Sequence, residues 1–207
     1  MYKIKPSTEE EMVYEFLKME INSDRYQEPI KDVLNQMNIS QDIITNGGNI
    51  LSDHENILRK EILRQFRGYR TKEIFENFPK DIQWVWAIFD PVDISKIIYI
   101  EYSYWNELSN YTGSPLEAAK TILSGKTIFD VPNDGFISGA EKLKTGHTFP
   151  PLICLTDENE QRFILLEGHG RMTSYGLVPH LFQDVSALLG CCDSKALDRW
   201  YGKMPDR

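Results

Sequence analysis

The chain has 207 residues, 41% of them hydrophobic and 12% aromatic, which is ordinary for a globular protein long enough to build a sizeable core. No stretch approaches the roughly 18 to 20 apolar residues that a membrane-spanning helix needs. The formal net charge of −8 and the lack of a strongly basic cluster argue against nucleic-acid binding, because polyanion binding draws much of its affinity from lysine and arginine.

The N-terminal part of the chain has helical patterns. Thr8 stands before three glutamates, and a capping side chain followed by negative charge is typical of a helix start. Ser23 and Ser52 also precede apolar residues at helical spacing, with a glycine-rich break at 46–49 between the two segments. The sequence therefore predicts three helices, the third of which ends near Gly68.

The second part of the chain alternates between strand and helix patterns. Residues 84–89 and 97–100 are β-branched and aromatic, which predicts two strands. Ser114-Pro115 opens a helix whose predicted inner face includes Leu123, and residues 126–148 have the composition of an irregular insert. The remaining predicted elements are two hairpin strands, a third apolar run and a last helix, at 151–155, 163–166, 185–189 and 194–201.

This change of pattern predicts two parts. Residues 1–80 form a helical N-terminal region packed on the core, and residues 81–207 form a domain that mixes strands and helices. The fold class is therefore α+β, with an α/β-like order of elements in the second part.

A glycine turn stands out between the second hairpin strand and a short helix. The strand ends in Glu167, and Gly168, His169, Gly170 and Arg171 follow. Strand, glycine turn and helix start together present bare backbone N–H groups and a positive helix end to an anion. The planar guanidinium of Arg171 also suits phosphate oxygens. The motif predicts a phosphate site, although many such turns hold nothing.

The order of these parts resembles the ParB/sulfiredoxin superfamily. The resemblance spans about residues 82–190 and rests on a strand running into a helix, a Pro-Pro-Leu-Ile strand at 150–153, an acidic turn, and the Gly-x-x-Arg turn at 168–171. It implies a mixed sheet with flanking helices. It also implies that Gly168, His169, Gly170 and Arg171 bind nucleotide phosphates, with Thr173 near the helix start.

The middle of the motif separates branches of that superfamily. Sulfiredoxins have their nucleophilic cysteine where this chain has His169, and the chain lacks the first arginine of the CTP-binding partition proteins. Glu-Gly-His-Gly-Arg is most similar to the Glu-Gly-His-x-Arg of free serine kinases, with Gly170 as the departure. The resemblance implies an ATP-dependent phosphotransferase that acts on a small molecule, with ATP (or CTP) and Mg²⁺ as cofactors. The alternative is a nucleotide-responsive switch without chemistry, or a DNA-associated ParB-like protein.

Two residues are candidates for the chemistry. Glu101 follows the strand at 97–100 and is the preferred catalytic base, with a solvated surface carboxylate as the alternative. His169 can donate to a phosphate oxygen or simply pack on the turn. Glu167 can orient His169, hold Mg²⁺ through water, or cap the helix. Neither the cysteines nor the histidines have a metal-ligand spacing, so no protein metal site is expected.

The remaining signals concern location and partners. Cys154, Cys191 and Cys192 are an odd number without a disulfide framework, and the N-terminus lacks the apolar core of a secretion signal, so we expect a cytoplasmic protein. The expected partners are a nucleotide and a small acceptor, and a homodimer is compatible with the sequence.

The aromatic stretch 99–105 can line a pocket or belong to the core. A basic group, Arg59 with its neighbours to residue 70, can be a solvated face or close over the nucleotide.

Overall fold

The computed structural model of this protein describes residues 1–45 and 47–202. They divide into two compact units, one of residues 7–78 and one of residues 1–6 together with the chain from Pro79 on. The helical region predicted for 1–80 therefore differs at its start, because Tyr2–Pro6 forms a strand of the second unit's sheet. In the predicted break at 46–49, Asn46 lies outside the described residues.

The unit of residues 7–78 contains helices α1 (Glu9–Glu20), α2 (Gln27–Gln36) and α3 (Asp53–Arg67). The Thr8 hydroxyl accepts from the Glu11 amide at 3.1 Å, and Ser52 caps α3 in the same way. Gly68 ends α3 in the left-handed conformation, with φ of 67°. The first and third predicted helices are therefore confirmed together with the signals that begin and end them.

Helix α2 begins later than its predicted start at Ser23. The Ser23 carbonyl accepts from the amides of Tyr26, at 3.1 Å, and Gln27, at 2.9 Å, and so closes a turn ahead of the helix. Ile30 and Leu34 are the buried positions of α2. Ser23 thus begins a turn rather than the helix. Regular helix follows from Gln27, where Ile30 and Leu34 lie four residues apart and are both buried.

The described part of the second unit contains a mixed sheet of six strands: β1 (Tyr2–Pro6), β2 (Gln83–Phe89), β3 (Ile97–Ile98), β4 (Leu152–Asp157), β5 (Phe163–Glu167) and β6 (Val185–Cys192). Their order in the sheet is β1-β2-β6-β4-β5-β3, so the protein is α+β. The pairs β4–β6 and β3–β5 are parallel, and the other three are antiparallel. Strands β4, β5 and β6 are the most buried.

Strand β3 is shorter than the predicted 97–100. Its ladder stops at Ile98, because the Tyr99 amide donates to the Gly113 carbonyl at 2.9 Å instead of to β5. The parallel pairing of Ile98 with Ile164 places the carboxyl ends of β3 and β5 at the same edge of the sheet. At that edge, β5 continues directly into the glycine turn that begins at Gly168.

The described residues of this unit form five α-helices: α4 (Ser103–Leu108), α5 (Pro115–Leu123), α6 (Asp134–Lys144), α7 (His169–Leu177) and α8 (Ser194–Tyr201). Ser114 caps α5 as predicted, but Leu123 is 74% exposed and not on the inner face. Among the described residues, no helix has the length and apolar character that crossing a membrane requires.

Helix α6 corrects the prediction of an irregular insert at 126–148. Its buried residues Gly139, Ala140 and Leu143 have helical spacing. Because glycine has a low helix propensity, the glycines in this segment favoured an irregular structure in the sequence-based prediction. Gly139 is needed for packing, since a Cβ there would lie 2.2 Å from the Ser174 Oγ of α7. Close contact between α6 and α7 therefore takes precedence over local propensity.

Candidate functional site

The candidate site is the start of α7, directly after β5. Gly168 has φ of 106°, in the left-handed region that favours glycine, and a Cβ there would lie 2.7 Å from Leu152 Cδ2. The Met172 amide donates to the Gly168 carbonyl at 2.8 Å and closes the first turn of the helix. Met172 is the first residue whose amide bonds to a carbonyl four residues earlier in this helix. The amides of Gly170 and Arg171 lie before it and have no partner within the helix.

Gly170 leaves the first turn of α7 open to approach. Apart from its two chain neighbours and the helix's own backbone, the described residues place one atom within 4 Å of the position of a Cβ on Gly170, which is Phe136 Cε1 at 3.7 Å. An aromatic edge therefore borders the turn on one side. Gly170 is itself exposed, so its backbone can be approached from solvent, which an anion needs.

Arg171 is held by the protein itself. Its Nη1 donates to the carbonyl oxygens of Pro150, at 2.9 Å, and Pro151, at 2.8 Å, and its Nη2 lies 2.9 Å from Glu167 Oε1. The Arg171 side chain is 15% exposed. Arg171 thus joins the segment before β4 to the end of β5, and Glu167 is its ion-pair partner, a role that was not among those considered for Glu167 from the sequence.

His169 lies in a group of aromatic rings. Its imidazole stacks on Trp105, with ring centroids 5.1 Å apart and planes at 23°, and on Tyr99, at 5.9 Å and 20°. His169 is 9% exposed. The fold therefore brings the aromatic stretch 99–105 against the first residue of α7, so His169 is packed and also lies at the turn.

Thr173 is fully buried below the turn. Its hydroxyl donates to the His169 carbonyl at 2.8 Å and lies 2.7 Å from the Tyr99 hydroxyl. These contacts attach α7 to the chain beyond β3. Burial raises the pKa of Tyr99 well above its usual range, so that phenol stays protonated and can donate. Thr173 is therefore a buried residue that supports the turn through its bonds to His169 and Tyr99.

Glu101 interacts electrostatically with helix α8. Burial and then the Glu101 carboxylate raise the pKa of Tyr201, which is the last residue of α8. Glu101 is thus within electrostatic range of α8. The structure brings His169 together with Tyr99 and Trp105, and it places Glu101 within electrostatic range of Tyr201.

Trp105 belongs to the stretch 99–105, for which the sequence left pocket and core open, and the structure shows it partly buried, packed against the core and stacked on His169. Phe136 was missed by the sequence interpretation, because it lay in the predicted insert. Their rings are 6.2 Å apart, with planes at 56°. The aromatic richness of 99–105 was a usable signal for Trp105. Nothing local marked Phe136, because its place depends on how α6 packs against α7.

The described part of the chain holds no group of three or more histidine, cysteine, aspartate or glutamate side chains that could bind a metal ion.

Arg59, the first residue of the basic group, is not part of a free surface, although Arg64 of the same helix is exposed. Arg59 is fully buried, and it donates to the Ile43 carbonyl at 2.7 Å and to Asn56 Oδ1 at 2.6 Å. The interpretation of Arg59 as part of a solvated face is wrong, because its guanidinium satisfies loop carbonyls inside the unit of residues 7–78.

No protein-family model matches this chain, and no match was found among curated proteins or among solved structures. The function has to follow from the geometry of the site itself.

Proposed function

We propose that the protein binds the phosphates of a nucleoside triphosphate at the first turn of α7, and that the unit from Pro79 on has a ParB/sulfiredoxin-like fold. The observation that carries the proposal is the open backbone at Gly170, one residue into a helix that starts from the left-handed Gly168. A helix N-terminus with approachable amides is favourable for a phosphate. The position of this turn at the carboxyl end of β5 also supports the proposal, since open sheets commonly bind ligands at such ends.

The residues present fit a triphosphate in a specific way. The amides of Gly170 and Arg171 would contact phosphate oxygens, and the His169 imidazole, stacked on Trp105, would lie next to them. The Arg171 guanidinium would act by holding the turn through Glu167 and the Pro150 carbonyl. Mg²⁺ would arrive with the nucleotide, ATP or CTP, and Glu167 would reach it only through water.

The reaction that we propose is phosphoryl transfer to a small-molecule acceptor. The bound nucleotide supplies the terminal phosphoryl group, and Glu101 accepts the proton of the acceptor hydroxyl as its oxygen attacks phosphorus and the nucleoside diphosphate leaves. The parallel pairing of β3 with β5 supports this assignment, because Glu101 follows one strand and the glycine turn follows the other at the same sheet edge.

Nucleotide binding is tested at Gly170, where side chains can be added with little strain. Gly170→Glu and Gly170→Gln have nearly the same size, and both improve helix propensity, so both should fold. The added carboxylate would repel phosphate. Calorimetric titration with MgATP and with MgCTP should show binding by the parent, at least tenfold weaker binding by Gly170→Glu, and an intermediate loss in Gly170→Gln. Equal affinities of the Glu and Gln variants would refute a phosphate site at this turn.

Catalysis is tested separately with Glu101→Gln. A screen of small hydroxyl- and amine-bearing acceptors, read by release of nucleoside diphosphate, should find acceptor-dependent turnover in the parent. Glu101→Gln should lower that turnover by about 100-fold or more while MgATP affinity stays unchanged. Binding without turnover, with a change of oligomeric state, would instead identify a nucleotide switch. DNA binding that falls steeply with salt would identify the DNA-associated alternative.

A further inference from the structure

Two aromatic rings border the first turn of α7. Phe136 Cε1 lies 3.7 Å from the position of a Cβ on Gly170, and Trp105 stacks on His169, the residue before Gly170. The two rings also lie near each other, with centroids 6.2 Å apart and planes inclined at 56°. They belong to different helices, α4 and α6, that the fold brings to the same place. The backbone of the turn therefore lies next to two neighbouring aromatic side chains.

The backbone of Phe136 and the ring of Trp105 are both held by neighbouring residues. The Ser174 Oγ donates to the Phe136 carbonyl at 3.0 Å, which ties the start of α6 to α7. Trp105 packs on Tyr99, with centroids 4.8 Å apart and planes at 30°, as well as on His169. Trp105 and Phe136 nevertheless remain only partly buried against the core. Part of each side chain is therefore exposed on a backbone that the fold holds in place, which lowers the cost of ordering the surface when a ligand binds.

We propose that Phe136 and Trp105 form the wall against which the nucleobase packs when the phosphates occupy the first turn of α7. This inference rests on the proposed function and adds the recognition of the base. A planar base gains from contact with an aromatic side chain, and such stacking tolerates any base because each one has a π-face. A larger purine covers more of the wall than a pyrimidine, so MgATP should bind more tightly than MgCTP.

The test compares two ligands that share phosphates and differ in the base. MgATP and magnesium tripolyphosphate are titrated into the parent, Phe136→Leu and Phe136→Tyr. Leucine keeps an apolar side chain without a ring, and tyrosine keeps the ring as the matched control. We expect MgATP to bind about tenfold more weakly to Phe136→Leu than to the parent, with tripolyphosphate affinity unchanged and with Phe136→Tyr close to the parent for both ligands. Thermal melting of each variant confirms that it is folded.

Other outcomes separate this inference from the function beneath it. Unchanged MgATP affinity in a folded Phe136→Leu overturns the aromatic wall and leaves the phosphate site standing. An equal loss of both ligands also overturns it, because the substitution then acts on the phosphates. Failure of the parent to bind either ligand overturns the phosphate site itself. Trp105→Leu with Trp105→Phe as control repeats the comparison from α4, in case Phe136→Leu does not fold.

Discussion

Glu167 and Arg171 form an ion pair across the glycine turn, with 2.9 Å between Glu167 Oε1 and Arg171 Nη2. The same guanidinium holds two consecutive carbonyls ahead of β4. An arginine that appears in the sequence as a ligand for phosphate is thus a structural link between two strands and a helix. Experiments that remove it change the turn as well as any ligand contact.

Arg171→Ala should therefore destabilise the protein in the absence of any nucleotide. Three hydrogen bonds at a mostly buried side chain are lost, and the free energy of unfolding should fall by about 1–3 kcal/mol. Urea denaturation measures the change. Arg162→Ala is the control, because its ion pair with Asp198 is more exposed and its loss should cost less than about 1 kcal/mol. Equal midpoints for the parent and Arg171→Ala would show that the link contributes nothing.

Gly168→Ala should be more harmful than alanine at another left-handed glycine. At Gly168 the new Cβ is strained by φ and lies 2.7 Å from Leu152 Cδ2, whereas at Gly125, with φ of 81°, no atom lies within 4 Å among the described residues. We expect a loss of about 2–4 kcal/mol for Gly168→Ala and about 1 kcal/mol for Gly125→Ala. Thermal unfolding of both variants tests this order, and a reversed order would contradict the tight packing of Gly168 on Leu152.

Arg59→Ala should strongly destabilise the unit of residues 7–78. The substitution leaves the Ile43 carbonyl and Asn56 Oδ1 without their buried donor and unpairs Glu55, which should cost about 3–5 kcal/mol. Hydrogen exchange or urea denaturation reads the loss. Arg64→Ala removes a solvent-exposed arginine of the same helix and should change little. If Arg59→Ala and Arg64→Ala have the same free energy of unfolding, the buried hydrogen bonds of Arg59 are not what stabilises this helix.

The three cysteines should differ in reactivity. Burial raises the pKa of the Cys154 thiol far above its usual range and that of Cys192 to about 12, and it raises the pKa of Cys191 as well. Only thiolates react quickly with iodoacetamide, so labelling at pH 8 should be slow at all three. Cys191 is half-buried and should react first. Mass spectrometry of the labelled peptides reads the order, and fast labelling of Cys154 would show that its strand opens readily.

Local signals in the sequence were sufficient for elements whose ends are chemically marked. Thr8 and Ser52 cap the helices that they predicted, and Ser114-Pro115 opens α5. The hairpin of β4 and β5 and the helix after Gly168 also follow from their own residues. Strand β1 and helix α6 were missed. The five residues of β1 are all exposed, and α6 contains glycines that are needed only because another helix lies against it.

The sequence by itself determined the α+β class and the strand, glycine turn and helix at 163–177, because caps, β-branched runs and turn glycines act over a few residues. Only the tertiary structure decided the partners of Arg171, the burial of Arg59 and the meeting of Trp105, His169 and Phe136. Several of those contacts join residues far apart in the chain, such as Arg171 with Pro150 and Trp105 with Phe136. Which of them form depends on how the strands pair and the helices pack, and local residue patterns do not determine that pairing and packing.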